Sequence, residues 1–165
     1  MNEQQAPPAN GSRGMKLSPA GRRLTRVLTG THRRLLAASG GRILGRMGGH
    51  PLLILTTTGR RTGRPFSTPV IGIADGDDYL VVASNGGAAT QPIWVRNIAA
   101  NPRVTISRGA FTQERQAGFL TAAERAQRWL RLVEAYKPYA AMQARTDREL
   151  PVLRLSPIHG TPASR

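Results

Sequence analysis

The chain has 165 residues, 24 Lys and Arg against 9 Asp and Glu, no cysteine, and a formal net charge of +15. Its length fits one domain with its own core, and no apolar run approaches the ~18 residues that cross a bilayer, so we expect no integral membrane protein. The absence of cysteine excludes disulfides, thiolate metal sites and thiol nucleophiles. The polar start lacks the apolar stretch of a signal peptide, which predicts a cytoplasmic location. The charge predicts a polyanionic partner: nucleic acid, anionic lipid or a phosphorylated cofactor.

Positive charge is concentrated near the N-terminus, where nine basic residues lie within residues 1–50 and Glu3 is the only acid. Residues 1–17 are poor in apolar side chains, which predicts a disordered tail. Residues 18–39 open on a Ser-Pro helix-start signal and carry leucines at helical spacing, so a basic amphipathic helix is predicted there, with a glycine-rich linker reaching residue 47. Such a helix either lies on an anionic membrane surface or packs on its own domain with a solvated basic face.

The chain from 48 to 157 reads as short strands separated by turns, followed by a flexible tail at 158–165. Asp75 and Gly76 form a strong hairpin signal. This pattern favours a mainly β fold with helices (α+β), an antiparallel barrel or sandwich of about six strands. Runs of β-branched and apolar residues predict these strands at 51–58, 66–74, 79–84, 103–107, 113–119 and 152–155.

Two helices are predicted between the strands. The first begins at Gln91 and stops at the Asn-Pro pair 101–102, because a residue before proline avoids the helical region. The second begins at Thr121, with Glu124 as its capping-box partner, and Pro138 should end or kink it. The predicted apolar face of this second helix comprises Ala126, Trp129, Leu130, Val133 and Tyr136.

Few side chains point to catalysis. The three histidines are scattered, no carboxylate pair stands out, and neither a GxSxG motif nor a phosphate-binding motif of the P-loop or Rossmann kind is present. We therefore expect no metal site and no hydrolytic centre.

Two loops of small residues that follow strands remain as candidate binding sites. Residues 56–65, TTTGRRTGRP, offer glycines for a tight turn with exposed N–H groups, threonine hydroxyls, and three arginines suited to phosphate oxygens. Residues 83–89, ASNGGAA, again offer small side chains and free amides. The two loops either close on one flat, phosphorylated ligand or are ordinary solvated turns.

The strings TTTGRRTGRP, VVASNGGA, QPIWVRNIAANPRVTI and AYKPYAAMQARTDRELPVLRL occur in this order. Together they resemble the deazaflavin-dependent nitroreductase family of actinobacteria, over residues 51–155. The resemblance implies a split β-barrel like that of FMN-binding proteins, and use of reduced coenzyme F420 as a hydride donor to a small-molecule acceptor such as a quinone, enone or nitro compound.

Several alternatives and partners stay open beside this resemblance. An FMN-binding split-barrel oxidoreductase is the nearest alternative. A basic nucleic-acid-binding protein is disfavoured, because only 5% of residues are aromatic and Trp94, Trp129 and Tyr136 fall on predicted helices rather than on a strand stacking platform. Some relatives attach to membranes through a basic N-terminus, which implies a peripheral location at the inner face of the cell membrane through residues 18–39. A monomer and a homodimer are both compatible with the family.

The resemblance also implies site residues. Ser84, Tyr136 and Tyr139 are implied as catalytic residues that hydrogen-bond the acceptor, whereas Trp94, Trp129 and Tyr136 could instead be core aromatics. The implied cofactor-binding residues are Arg60, Arg61, Thr62, Phe66, Ser67, Thr68, Pro69, Val70, Ile71, Gly72, Val82, Ala83, Ser84, Asn85, Ile93, Trp94, Val95, Arg96, Asn97 and Tyr139.

Three positions depart from the family pattern. Asn85 stands where some relatives carry lysine, Met142 replaces a pocket aromatic, and Ile71 replaces a tyrosine. The acceptor side is therefore expected to be less polar and differently shaped, so reduction of nitro drugs does not follow from the resemblance.

Overall fold

The computed structural model describes residues 9–13, 46–47 and 49–158. The predicted basic helix at 18–39 and the tail beyond residue 158 lie outside these ranges.

The described residues form one antiparallel sheet, curved into a half-barrel, with three helices. Neighbouring strands follow the order β1, β2, β6, β7, β8, β5, β4, and β3 pairs with β2. The mainly β architecture predicted from the sequence is confirmed. The strands are β1 Arg46–Met47, β2 His50–Thr58, β3 Pro65–Ile71, β4 Ile73–Asp75, β5 Asp78–Val82, β6 Arg103–Arg108, β7 Phe111–Phe119 and β8 Val152–Pro157, and the helices are α1 Ile93–Ala100, α2 Ala122–Ala135 and α3 Pro138–Ala144.

The single strand predicted at 66–74 is wrong, because the chain breaks at Gly72 into β3 and β4. A Cβ at this glycine would lie 2.4 Å from Leu53 Cδ1, so no larger residue fits without displacing that core side chain. The Gly72 N–H donates to the Pro51 carbonyl at 3.0 Å. This break, together with the two-residue strand β1, raises the count of strands in the described residues from the predicted six to eight.

Two hydrophobic clusters lie on opposite faces of the sheet, as strand alternation requires. Leu53 and Leu55 of β2 belong to the cluster inside the half-barrel. Leu52, which precedes both residues on the strand, belongs to the second cluster, between the outer face and helices α2 and α3. Each fully buried leucine contributes about 2 kcal/mol to folding. Helices α2 and α3 are therefore held on the outer face of the sheet, whereas α1 packs on the inner cluster.

Helix α2 begins as predicted. The Thr121 hydroxyl accepts from the Glu124 N–H at 3.2 Å, and the Glu124 carboxylate accepts from the Thr121 N–H at 2.9 Å. This backbone hydrogen bond is the main cause that holds the pKa of Glu124 below its ordinary value. The predicted capping box is confirmed.

The predicted apolar face of α2 is partly wrong. Leu130 is 69% exposed and Ala126 is also exposed, whereas Leu132 is fully buried. The helix turns Trp129 and Leu132 toward the sheet, and the Arg125 guanidinium lies 4.2 Å from the Trp129 ring centre. Because this cation covers the apolar ring, the buried stripe is displaced from the stripe that hydrophobicity alone indicated.

Helix α2 ends before Pro138, as predicted, but Pro138 then opens α3, which the sequence did not indicate. Proline suits this first helical position because its missing N–H would have no partner there. The polypeptide between the two helices is therefore only Tyr136 and Lys137.

Candidate functional site

The loop between β2 and β3, residues 59–64, is a closed turn. Gly59 donates its N–H to the Arg64 carbonyl at 2.8 Å, and its carbonyl accepts from the N–H groups of Thr62 at 3.1 Å and Gly63 at 2.7 Å. These amides donate within the loop, so the expectation of a cradle of exposed N–H groups is wrong. The loop instead offers an anion the exposed guanidinium groups of Arg60, Arg61 and Arg64.

None of these three arginines takes part in an ion pair between described residues. Beside them lies an open pocket of about 270 Å³, lined by Thr56, Thr58 and Gly63 among others. The Arg103 guanidinium and the Glu114 carboxylate, 2.9 Å apart, also line this pocket. The arginine loop is therefore a cationic surface beside a polar recess.

Asn97 of α1 holds this loop from inside. Its side-chain oxygen accepts from the Arg60 N–H at 3.2 Å, and its side-chain N–H donates to the Thr57 hydroxyl at 3.1 Å. The Thr57 hydroxyl in turn donates to the Phe66 carbonyl at 3.3 Å. Asn97 is only 2% exposed, so it supports the loop and the start of β3 rather than presenting a surface to a ligand.

The other implied site residues of α1 separate into two groups. Trp94 and Val95 are buried in the cluster inside the half-barrel, which agrees with the alternative that Trp94 fills the core. Ile93 is 58% exposed, and Arg96 is exposed as well. An apolar and a cationic side chain of α1 are thus available to a ligand.

The implied run Phe66–Gly72 is divided between the two faces of β3. Phe66 lies opposite Thr57, and Val70 lies opposite Leu53, so these alternate residues face the half-barrel. Pro69 and Ile71 lie on the outer face, where Ile71 packs with the second cluster. The remaining members of the run follow the same alternation, so they do not all contact one ligand.

Ser67 also lies on the outer face of β3. Its hydroxyl oxygen is 2.8 Å from that of Thr56 on β2, in a hydrogen bond between paired strands. Both side chains are half-buried. A pair of hydroxyls therefore stands on this face, and Thr56 also lines the polar recess.

The second loop, residues 83–89, is a left-handed turn. Asn85, Gly86 and Gly87 have φ values of 47°, 64° and 79°. The Asn85 side chain donates to the Thr90 carbonyl at 2.9 Å. A Cβ at Gly87 would lie 2.7 Å from the Met142 carbonyl oxygen, so α3 packs directly on the turn. The implied residues Val82 and Ala83 are buried, and Ser84 is half-buried.

Arg148 supports the second loop, and the sequence analysis missed it. The side chain is 3% exposed, and its guanidinium donates to the carbonyls of Ala88 at 2.8 Å, Ala83 at 3.2 Å and Ser84 at 2.7 Å. Burial lowers the pKa of Arg148 from its ordinary value. The residue lies in the motif AYKPYAAMQARTDRELPVLRL, but nothing in the motif indicates which loop it contacts.

Residues 9–13, inside the predicted disordered tail, run beside the same loop. The Gly11 N–H donates to the Ala89 carbonyl at 2.9 Å. The Asp147 carboxylate accepts from the N–H groups of Ser12 at 3.1 Å and Arg13 at 3.0 Å. Hydrogen bonds from Ser12 and Arg13 hold the pKa of Asp147 below its ordinary value. The prediction of disorder is therefore wrong for these five residues.

Tyr136 and Tyr139 contact each other edge to face, with ring centres 5.0 Å apart and an interplanar angle of 73°. Tyr136 caps α2 and Tyr139 belongs to α3, so the two residues lie on different helices. Tyr139 is 3% exposed, and burial, together with Tyr136, raises the pKa of its phenol. A phenol is already protonated at neutral pH, so this shift leaves Tyr139 a hydrogen-bond donor.

An antiparallel half-barrel with two helices on its outer face, a third on its inner cluster and two supported loops at strand ends defines the chain as a split β-barrel protein. A solved structure of the haem storage protein HutZ from Vibrio cholerae shares this fold, with a TM-score of 0.50 and 20% identity over 66% of this chain and 82% of that one. A family model described as F420H(2)-dependent quinone reductase matches residues 27–157. The chain belongs to the F420H(2)-dependent quinone reductase family, and the resemblance seen in its motifs is confirmed.

Solved structures agree with this assignment. A structure of an F420-H2 dependent reductase (FDR-A) has 37% identity and a TM-score of 0.59, covering 64% of this chain and 94% of that one. A structure described as a domain-swapped dimer has 34% identity and a TM-score of 0.62, covering 81% of this chain and 99% of that one.

Mycobacterium tuberculosis proteins are similar in sequence. An F420H(2)-dependent quinone reductase is 43% identical over 79 residues, which are 47% of this chain and 53% of that protein. A second protein, provisionally given the same name, is 36% identical over 107 residues, which are 65% of this chain and 90% of that protein. This chain thus spans about half of the first relative and most of the second.

Proposed function

We propose that this protein is an F420-dependent reductase that delivers a hydride to an electron-poor small molecule such as a quinone, enone or nitro compound. The observation that carries the proposal is the set of exposed arginines at residues 60, 61 and 64, none of which has an ion-pair partner among the described residues. The deazaflavin of this family carries a phosphodiester and glutamates, so its charge complements such a loop.

The described residues fit this cofactor. Arg60 and Arg61 would hold phosphate oxygens through guanidinium hydrogen bonds, while the hydroxyls of Thr56 and Ser67 provide neutral donors and acceptors on the adjoining sheet face. When bound in its reduced form, the deazaflavin supplies the hydride. The protein contributes alignment of the acceptor and exclusion of water.

Ser84, Tyr136 and Tyr139 would act on the acceptor. A phenol, which is protonated at neutral pH, donates a hydrogen bond to an oxygen that gains negative charge as the acceptor is reduced. Tyr136 is half-buried and Tyr139 is buried, so Tyr136 is the more accessible donor and Tyr139 orients its ring. One of these tyrosines or water delivers the proton, so no further general acid is needed among the side chains.

The experiment that tests the cofactor is a pair of fluorescence titrations on the full chain, one with F420 and one with FMN. The proposal expects saturable F420 binding and weaker FMN binding. Tight FMN binding without F420 binding would overturn it in favour of the flavin-binding alternative. Residual affinity for DNA at saturating F420 would instead support the nucleic-acid reading.

The N-terminal region adds a proposal about location. In the part of the chain that the structure describes, no helix is long and apolar enough to cross a bilayer. The charge pattern of residues 18–39 supports attachment to an anionic membrane surface at the cytoplasmic face. Flotation of the full chain with anionic vesicles, compared with neutral vesicles and with an Arg33→Glu/Arg34→Glu variant, tests this. We expect the full chain to float with anionic vesicles but not with neutral vesicles, and the variant not to float with anionic vesicles.

Oligomeric state is a separate proposal. The similar structure described as a domain-swapped dimer supports a homodimer of this chain. Sedimentation equilibrium distinguishes a dimer from the monomer that the family also allows.

A further inference from the structure

The left-handed turn at residues 85–87 needs support from outside itself. Asn85 has a side chain and a φ of 47°, a backbone region that residues other than glycine seldom adopt. Ala83 is fully buried and Ala88 is 5% exposed, so the carbonyls on both sides of the turn are shielded from water and require donors. The conformation of the turn therefore depends on a group that supplies several donors at once.

Arg148 is that group. Three of its N–H groups reach carbonyls before and after the turn, and a guanidinium holds its donors in one rigid plane. A lysine carries the same charge, but its compact ammonium cannot span carbonyls that lie apart. The planar, forked arrangement of the guanidinium donors, rather than charge alone, matches the carbonyls of the loop.

The charge of Arg148 has no carboxylate partner among the described residues. The neighbouring Asp147 carboxylate is occupied by the N–H groups of Ser12 and Arg13. Carbonyl dipoles of the loop therefore provide the observed solvation of this buried cation, which couples the position of the guanidinium to the conformation of residues 83–88.

We propose that Arg148 is a positioning residue for the reductase site, which sets the conformation of the loop that carries Ser84 and Asn85. The link to cofactor binding rests on the proposed function, whereas the hold on the loop is a property of the protein alone. The two parts can therefore be tested separately on the full chain.

The variants are Arg148→Gln and Arg148→Lys, with Arg125→Gln as the matched control. Arg125 also donates to a carbonyl, that of Leu150 at 2.9 Å, and to the Gln143 side chain at 3.0 Å, but it does not contact the loop. Hydrogen exchange of residues 84–90 without cofactor measures how strongly Arg148 stabilises the conformation of the loop. Titration with F420 measures its consequence for binding.

We expect both Arg148 variants to exchange roughly tenfold faster at residues 84–90 and to bind F420 about 10- to 100-fold more weakly. Arg125→Gln should lower the melting temperature while leaving both quantities near wild type. Gly87→Ala, which strains the turn at its contact with Met142 and leaves Arg148 intact, should reproduce the weaker binding. If the Arg148 variants do not fold, Gly87→Ala still tests whether the conformation of this loop governs F420 binding.

Unchanged hydrogen exchange in both Arg148 variants would overturn the proposal that Arg148 sets the conformation of the loop. Faster exchange with unchanged F420 affinity would overturn the role in binding. Wild-type affinity in Arg148→Lys alone would overturn the requirement for the guanidinium geometry, since charge would then be responsible. Absence of F420 binding by the wild-type protein would overturn the proposed function, and the exchange result would still decide whether Arg148 holds the loop.

Discussion

The two loops of the site are rigid for different reasons. Residues 59–64 close on themselves through backbone hydrogen bonds and direct their arginine side chains into solvent. Residues 83–88 are held from behind by the buried guanidinium of Arg148. Under the proposed function, positive charge serves recognition in the first loop, whereas in the second loop it serves support. Substitution of the arginines in the first loop should therefore change cofactor binding but not stability, whereas substitution of the residues that support the second loop should change both.

The largest expected effect tests recognition by the first loop. Arg60→Ala with Arg61→Ala should weaken F420 binding by about 1–3 kcal/mol for each charge-assisted hydrogen bond lost, measured by fluorescence titration. The melting temperature should stay unchanged, because both side chains are exposed and take part in no ion pair between described residues. Arg108→Ala, an exposed arginine at the end of β6, is the control for a simple loss of charge. Equal affinity in the double variant would refute the assignment of these arginines as the anchor.

The next effect tests whether Asn97 supports the first loop from inside. Asn97→Ala removes two hydrogen bonds and leaves the buried Thr57 hydroxyl without this donor, so unfolding in urea should require about 2–3 kcal/mol less free energy. Asn101→Ala is the matched control, because the Asn101 side-chain oxygen accepts a single, exposed hydrogen bond, from the Arg103 N–H at 3.1 Å. Similar losses in the two variants would show that Asn97 has no special supporting role.

A smaller effect separates the two tyrosines. Tyr136→Phe should lower kcat for a quinone by roughly tenfold, because it removes an acceptor hydrogen bond that strengthens in the transition state. The affinity for F420 should not change. Tyr139→Phe is the comparison, and it should affect stability as well, since Tyr139 is buried in the cluster under α3. A fall in F420 affinity with unchanged kcat would place Tyr136 on the cofactor rather than the acceptor.

The smallest effect concerns the segment 9–13 beside the second loop. The pKa of Asp147 is lowered in the folded protein, so its contribution is fully present above its ordinary value of 3.8 and is lost as pH falls through the lower folded value. Hydrogen exchange of the Ser12 and Arg13 N–H groups, which donate to this carboxylate, should therefore rise in that acidic range relative to the intrinsic rate of an unfolded chain.

Gly11→Ala should produce the same rise at neutral pH, because a Cβ there would lie 2.2 Å from the Asp147 carboxylate oxygen. Gly118→Ala, where a Cβ meets nothing within 4 Å, is the control for substitution of an exposed glycine. Exchange of the Ser12 and Arg13 N–H groups that changes neither in the acidic range nor in Gly11→Ala would show that Asp147 does not hold this segment beside the second loop.

Local sequence signals determined much of the fold. The strands at 51–58 and 103–107, the hairpin at Asp75-Gly76 and the capping box at Thr121 depend on contacts between residues close in the chain, so propensity and spacing predict them. The family motifs likewise identified the split barrel and the arginine loop before any geometry was known. These features are encoded within a few residues of where they appear.

Only the tertiary structure decided what depends on residues far apart in sequence. Gly72 lies against Leu53 of another strand, where no larger side chain fits. Asn97 and Arg148 reach loops that lie 37 and about 60 residues away in the chain. No local pattern reports such contacts, because a buried guanidinium or amide is satisfied by whichever carbonyls and amides the folded chain brings to it. The sequence by itself thus determined the class of the protein, and the packing of distant segments decided which residues hold its site in place.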